Sequence, residues 1–278
     1  MEDFLRIFGA VASTSLFAAL LGFGLAIAAK KFRVVKNPTL EKISAALPGL
    51  NCGICGYTGC EAYAEALSLE KESDTRKCRP GGQATIDEIS QILGIESSAG
   101  TKRMVARLAC LGGTGIAVQD FSFQAYEDCE SLKLHFDGDK GCKYGCMGLG
   151  SCIKVCPVDA ISKTDNGLVE VSAARCIGCE LCVKVCPSGV MKMIPADTDF
   201  FVACNSRDKG KLTKALCSAG CIGCRICEKK FPESGFQVED NLASLNYNKK
   251  DNEGRMEAAQ ACPAKCIIQA GSKTLLKT

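Results

Sequence analysis

Cys142-Lys-Tyr-Gly-Cys146-Met-Gly-Leu-Gly-Ser-Cys152-Ile-Lys-Val-Cys156-Pro157 and, beginning twenty residues after Cys156, Cys176-Ile-Gly-Cys179-Glu-Leu-Cys182-Val-Lys-Val-Cys186-Pro187 decide how the rest of the chain is read. The second run is C-x2-C-x2-C-x3-C-P. In that pattern three closely spaced thiolates wrap one face of an iron–sulfur cubane, and the Cys before Pro ligates the other cluster of a pair. The pairing that follows joins Cys176, Cys179 and Cys182 with Cys156, and Cys142, Cys146 and Cys152 with Cys186. The first run is looser, with three and then five residues between its Cys, and reads as a variant lengthened by insertion. A zinc ribbon also uses C-x2-C pairs. Zinc needs only two such pairs and leaves the third Cys and both Cys-Pro steps unexplained.

The totals agree with that chemistry. Twenty-one Cys in 278 residues, an odd number, do not describe a small disulfide scaffold, and they point to a reducing, cytoplasm-facing location. A net charge of +3 carries no nucleic-acid footprint. The one His, His135, cannot build a multi-His metal site, and no C-x-x-C-H haem signature is present, so His135 reads as a structural or surface residue. No Walker A motif occurs, and Gly112-Gly113-Thr114-Gly115 has the wrong spacing for a dinucleotide fingerprint.

Upstream, Ile7 to Ala29 is a stretch of 23 residues without a charge, long enough to cross a hydrocarbon core of about 30 Å at about 1.5 Å per residue. A cleaved signal peptide would have a shorter apolar region behind a positive start; here Glu2-Asp3 comes first, and Lys30, Lys31, Arg33 and Lys36 follow the run. That asymmetry places the basic cluster, and everything after it, on the cytoplasmic side. Ala18, Gly22 and Ala26 repeat at helical spacing, as in helices that pack within membranes. Val34 to Lys42 reads as a linker broken at Pro38. Beyond it Cys52, Cys55, Cys60 and Cys78 form C-x2-C-x4-C-x17-C on a Gly-rich loop, with helices expected over Glu61–Ser73 and Gln83–Leu93. This reads as one [4Fe-4S] site.

The run Asn51-Cys52-Gly-Ile-Cys55-Gly-Tyr-Thr-Gly-Cys60 with Cys78 and Gly81-Gly82, behind one apolar helix and ahead of the paired cluster motifs, resembles the B subunit of the Rnf complex. That family is a membrane-bound, ion-translocating ferredoxin:NAD+ oxidoreductase. Gly141 to Cys152 resembles the longer version of this protein. The resemblance implies an entry subunit in the bacterial inner (cytoplasmic) membrane. It would be single-pass, take electrons from soluble ferredoxin, and work beside other membrane and flavin- or NAD-binding subunits, with no nicotinamide site of its own.

The last eighty residues read as a second ferredoxin-like unit that has lost one cluster. Phe200–Cys204 is expected as a strand and Lys209–Leu216 as a helix, and Cys221-Ile-Gly-Cys224-Arg-Ile-Cys227 is a full C-x2-C-x2-C. Phe231 stands where a Cys should precede Pro232, and Lys250, Glu253 and Met256 fill the frame of the second motif. One ligand set, Cys221, Cys224, Cys227 and Cys262, survives whole; the other is missing whole. Cys110 and Cys129 match no compact spacing. They either join Cys142 and Cys146 in a further cluster, which would change the assignment of the looser run, or are buried thiols, and the second is the expectation. Cys204, Cys217 and Cys266 are left over or join a differently built site.

The expected fold is α+β, with an anchor over 1–33, a four-Cys domain over 34–100 and a connecting region over 101–136. A two-cluster βαββαβ domain over 137–196 and a degenerate one-cluster domain over 197–278 complete it. Val190–Ile194 is the expected edge strand of the former, with inner strands near Ala160–Ser162 and Leu168–Val171. Four [4Fe-4S] clusters in one chain, with no substrate-pocket motif, describe an electron wire. A membrane-anchored adaptor feeding another reductase, and an iron–sulfur redox sensor, are the competing readings. Lys143, Lys154, Lys163, Lys184 and Arg175 either dock an acidic ferredoxin or form an ordinary solvated surface.

Overall fold

The computed structural model describes residues 2–31, 37–96, 102–121, 127–249 and 251–270. Arg33 and Lys36 of the basic cluster, and Lys250 of the lost motif, lie outside these residues. The apolar run forms helix α1 (Glu2–Lys31). Its stretch Thr14–Lys31 has mean hydropathy 1.3, with none of it buried against the rest of the protein, and is long and apolar enough to cross a membrane.

Three helices, α2 (Pro38–Ala46), α3 (Cys60–Ser68) and α4 (Gly82–Leu93), enclose a small core of Ile43, Tyr63, Leu67 and Ile89. Pro38, expected to interrupt a linker, instead starts α2. The Asn37 side chain accepts a hydrogen bond from the Thr39 N–H at 3.0 Å, and Pro at the first helical position already has the right φ and needs no N–H partner.

The next unit begins earlier than 137. Strand β4 (Met191–Pro195) forms where an edge strand is expected, but its antiparallel partner is β1 (Met104–Leu108), from the stretch read as a connection; Met104 lies opposite Pro195 and Leu108 opposite Met191. Val105, Ala106 and Leu108 are all buried, so β1 lacks the clean alternation that announces a strand in a sequence. Between them come α5 (Cys129–Phe136), capped by Asp128, then α6 (Ser151–Lys154), the hairpin of β2 (Ile161–Lys163) with β3 (Val169–Val171), and α7 (Leu181–Lys184). His135 stands exposed on α5.

The chain then repeats this order. β5 (Phe200–Val202) pairs antiparallel with β8 (Ile267–Gln269), and β6 (Phe236–Glu239) forms a hairpin with β7 (Leu242–Leu245). Helices α8 (Gly210–Leu216), α9 (Ile226–Lys230) and α10 (Asn252–Ala261) complete the unit. Two apolar cores result, and the first of them takes in Phe201 and Ala203 from the last unit; in both, cysteines are a substantial part of what is buried. The observed architecture is therefore mixed helix and strand in small units, each built on two two-stranded sheets or three short helices.

Candidate iron–sulfur sites

Every cluster motif curls around a hollow lined by four thiols. Cys52, Cys55, Cys60 and Cys78 surround about 320 Å³, and Cys156, Cys176, Cys179 and Cys182 surround about 340 Å³. Cys221, Cys224, Cys227 and Cys262 line about 350 Å³, together with Cys266. Among the described residues no three His, Cys, Asp or Glu side chains gather closely enough to hold one metal ion. The thiols stand apart around a space, as a multi-atom cluster needs. A tetrahedral zinc, with each sulfur at about 2.3 Å from one centre, would draw them together.

In the first site the thiols are placed by the loop after Leu47. The Asn51 side chain accepts the Cys60 N–H at 2.8 Å, fixing the start of α3 against the loop. A polar clip brings Cys78 back. The Tyr57 hydroxyl donates to Glu72 at 2.9 Å, Lys77 donates to the same carboxylate, and the Ser73 and Asp74 N–H groups donate to its other oxygen at 3.0 Å. The Lys77 hydrogen bond, then the backbone and Tyr57 donors, hold Glu72 down to about 2. Burial pushes the Cys78 thiol up to about 11. A metal that binds this thiol displaces its proton.

The two-cluster unit differs from its expected ligand pairing at one position. Cys146, Cys152 and Cys186 share a hollow of about 350 Å³ with Cys129, and Cys142 faces elsewhere. The reason lies in the backbone. Gly148, Gly178 and Gly223 have φ of 74°, 70° and 65°, and Gly150, Glu180 and Arg225 have φ of 86°, 63° and 60°. Each pair flanks one residue between them, which is Leu149 in the first loop, Cys179 in the second and Cys224 in the third. The looser run is thus an ordinary C-x2-C-x2-C loop, from Cys146 to Cys152, whose middle Cys has become Leu149. No residue has been inserted. Cys129, at the start of α5, comes to the same hollow, and its N–H donates to Ser151 Oγ at 2.9 Å. In the sequence only the equal count of five residues in Cys146–Cys152 and Cys176–Cys182 hinted at this.

Backbone donors aim at several sulfurs. Ala106 N–H lies 3.4 Å from Cys176 Sγ and Ala160 N–H 3.2 Å from Cys156 Sγ. Such bonds stabilise the more negative, reduced state of a thiolate-ligated centre. Burial raises Cys152 to about 11 and Cys182 to about 12. Burial first, and then the neighbouring Cys156, Cys176 and Cys52, push the Cys179 thiol up. An Arg79–Glu180 ion pair joins the Cys52–Cys78 loop to the Cys176–Cys182 loop.

In the last unit the buried Cys266 thiol lies 3.7 Å from Cys262 Sγ, and its hydrogen bonds hold both Cys262 and Cys221 well below the ordinary thiol range. Where a second cluster would be expected, Glu253 and Met256 are exposed on α10. The buried Arg255 guanidinium turns inward from the same helix and donates to the carbonyls of Ser234 at 3.1 Å, Asn246 at 3.4 Å and Lys249.

Comparison with known proteins gives the same picture. A 4Fe-4S dicluster domain family matches residues 142–193, and an Fe-S cluster family matches residues 47–80. The chain is 35% identical over 261 residues to the B subunit of the Na+-translocating ferredoxin:NAD+ oxidoreductase complex of Acetobacterium woodii, covering 93% of this chain and 77% of that one. It is 36% identical over 263 residues to the B subunit of the proton-translocating ferredoxin:NAD+ oxidoreductase complex of Clostridium ljungdahlii, covering 95% and 92%. It is 34% identical over 247 residues to the B subunit of the ion-translocating oxidoreductase complex of Methanosarcina acetivorans, covering 89% and 92%. With its apolar helix, its four-Cys loop and its paired cluster motifs in that order, the chain belongs to the Rnf-type family of B subunits of ion-translocating ferredoxin:NAD+ oxidoreductases.

Proposed function

We propose that this chain is the electron-entry subunit of such a complex, accepting electrons from reduced soluble ferredoxin and passing them toward NAD+ reduction, with Na+ or H+ moved by other subunits. The observation that carries the proposal is the series of four-thiol hollows behind one apolar helix. In this reading Cys52, Cys55, Cys60 and Cys78 hold one [4Fe-4S] cluster, and Cys156, Cys176, Cys179 and Cys182 a second. Cys146, Cys152 and Cys186 hold a third with Cys129, and Cys221, Cys224, Cys227 and Cys262 a fourth. When bound, the clusters supply one-electron chemistry, with potentials within about −700 to +450 mV. The protein holds them, keeps water from their buried sulfurs and sets their charge balance through N–H donors. The two later units are ferredoxin-like βαββαβ modules, the last with one cluster replaced by protein. α1 is a single membrane pass with the bulk of the chain on the cytoplasmic side.

The test uses the full chain purified anaerobically in detergent. Reduced ferredoxin should bleach its visible absorption, acid-labile sulfide should accompany the iron, and Cys221→Ser should lose about four iron per chain. Zinc in place of iron, with no labile sulfide, would overturn the reading.

A further inference from the structure

A hollow of about 450 Å³ lies between the two later units and belongs to none of the four sites above. Four thiols line it: Cys110, Cys142, Cys204 and Cys217. All four are free, Cys110 is buried and the other three are half-buried.

Their arrangement follows the internal repeat. Cys110 comes two residues after β1 and Cys204 two residues after β5. Just before each, an N–H donates to the loop that leads into the closing strand: Ala109 to Val190 O, and Ala203 to Cys266 O, both at 2.7 Å. Cys142-Lys-Tyr-Gly-Cys146 and Cys217-Ser-Ala-Gly-Cys221 are the same C-x2-G-C step into a cluster loop. In each, the Gly N–H donates to the first Cys carbonyl, Gly145 to Cys142 at 2.9 Å and Gly220 to Cys217 at 3.3 Å. In each, the second Cys N–H reaches the sulfur after the first strand, Cys146 to Cys110 at 3.4 Å and Cys221 to Cys204 at 3.2 Å. Each unit therefore presents an equivalent pair of thiols, and the two pairs face one another. The backbones are stitched together beside them, Val118 N–H to Leu216 O at 2.8 Å and Ser218 N–H to Ile116 O at 3.1 Å. The Lys140 ammonium lines the same hollow.

We propose that Cys110, Cys142, Cys204 and Cys217 hold a fifth [4Fe-4S] cluster, shared by the two units at their junction. The proposal rests on the iron–sulfur reading above and adds a centre to it. Four thiols around a hollow at least as large as the others are what a cubane requires, and the N–H donors to Cys110 and Cys204 are those found at the sulfurs of the other sites. The site leaves Cys266 as the one Cys without a ligand role. It lies between the Cys146 loop and the Cys221 loop, and so joins the two-cluster unit to the last one.

The decisive measurement is iron and acid-labile sulfide per full-length chain, purified anaerobically, for the wild type and for the double variants Cys110→Ser/Cys142→Ser and Cys204→Ser/Cys217→Ser. Five cubanes give about twenty iron, and each double variant about sixteen, with the same signal missing from the electron paramagnetic resonance spectrum of both. A wild-type content of about sixteen, with or without a zinc ion, overturns the fifth site and leaves the four-cluster reading standing. About twenty in wild type and in both variants overturns the ligand assignment. No labile sulfide in any sample sinks both readings. A double variant that loses far more than four iron has unfolded, and the wild-type count then decides.

Discussion

Leu149 and Cys129 show how one hollow keeps the loop of the other two while its fourth thiol comes from elsewhere in the chain. Leu149 occupies the place filled by Cys179 and Cys224 in the other two loops, and Cys129 arrives on a separate helix to line the same hollow. Cys129→Ser should therefore lose about four iron per chain, and adding Leu149→Cys should restore them by rebuilding the C-x2-C-x2-C loop. Full iron content in Cys129→Ser would contradict the assignment. Lys140 makes a second residue-level prediction. Its ammonium donates to Gly112 O at 2.8 Å and Cys146 O at 2.7 Å, beside two hollows. A positive charge there favours the added electron of a reduced cluster. Lys140→Met should shift the midpoint potential of an adjacent centre to more negative values in a redox titration followed by paramagnetic resonance; an upward shift would refute it.

Among the elements, β1 and α10 carry the clearest consequences. β4 has no other strand partner among the described residues than β1, and Val105 and Leu108 of β1 are buried in the shared core. A fragment spanning 137–196 lacks both that strand and Cys129. It should fail to retain a full pair of clusters, whereas a fragment starting at residue 102 and keeping the last unit should hold them; equal iron per site in both would show β1 to be dispensable. In α10 the guanidinium of Arg255 satisfies the carbonyl of the buried Ser234, which would otherwise be left without that donor. Arg255→Ala should destabilise the last unit by about 2 kcal/mol, the cost of leaving such groups unpaired, seen as a lower denaturation midpoint with iron content unchanged. Loss of iron at native conditions would mean that Arg255 supports the cluster loop itself.

For the whole molecule, the thiol sites are linked through contacts along the chain. The Arg79–Glu180 ion pair joins the Cys52–Cys78 loop to the Cys176–Cys182 loop, and Cys146, Cys152 and Cys186 lie in the same core as Cys176 and Cys182. Cys146 touches Cys110 and Cys204 touches Cys221. If the junction site is the link to the last unit, the Cys110→Ser/Cys142→Ser variant should still accept electrons from reduced ferredoxin at the earlier clusters. Its Cys221 cluster should stay oxidised on that route, yet be reduced by a small diffusible reductant. Equal reduction of that cluster by both donors, on the same timescale as in wild type, would show that electrons bypass the junction.

How much of this was legible in the chain depends on the range over which each feature acts. Thiolates that share a loop betray themselves by local spacing, so the Cys52–Cys78 and Cys176–Cys182 loops, the surviving half-motif at Cys221–Cys227 and the apolar run of α1 could be read from residue order alone. The family could be read from the order of those motifs. Cys129, Cys110, Cys204 and Cys217 could not be placed, because their neighbours come from strands and loops far away in sequence, and a lone Cys looks the same whether it packs in a core or faces a cluster. Pro38 misled because its meaning depends on the Asn37 cap. β1 stayed hidden because a strand buried on both faces shows no alternation. Local spacing determined the chemistry of this protein and the loops that carry it. Only the packing of two repeated units against each other decided which distant thiols meet, because that contact joins residues that no motif connects.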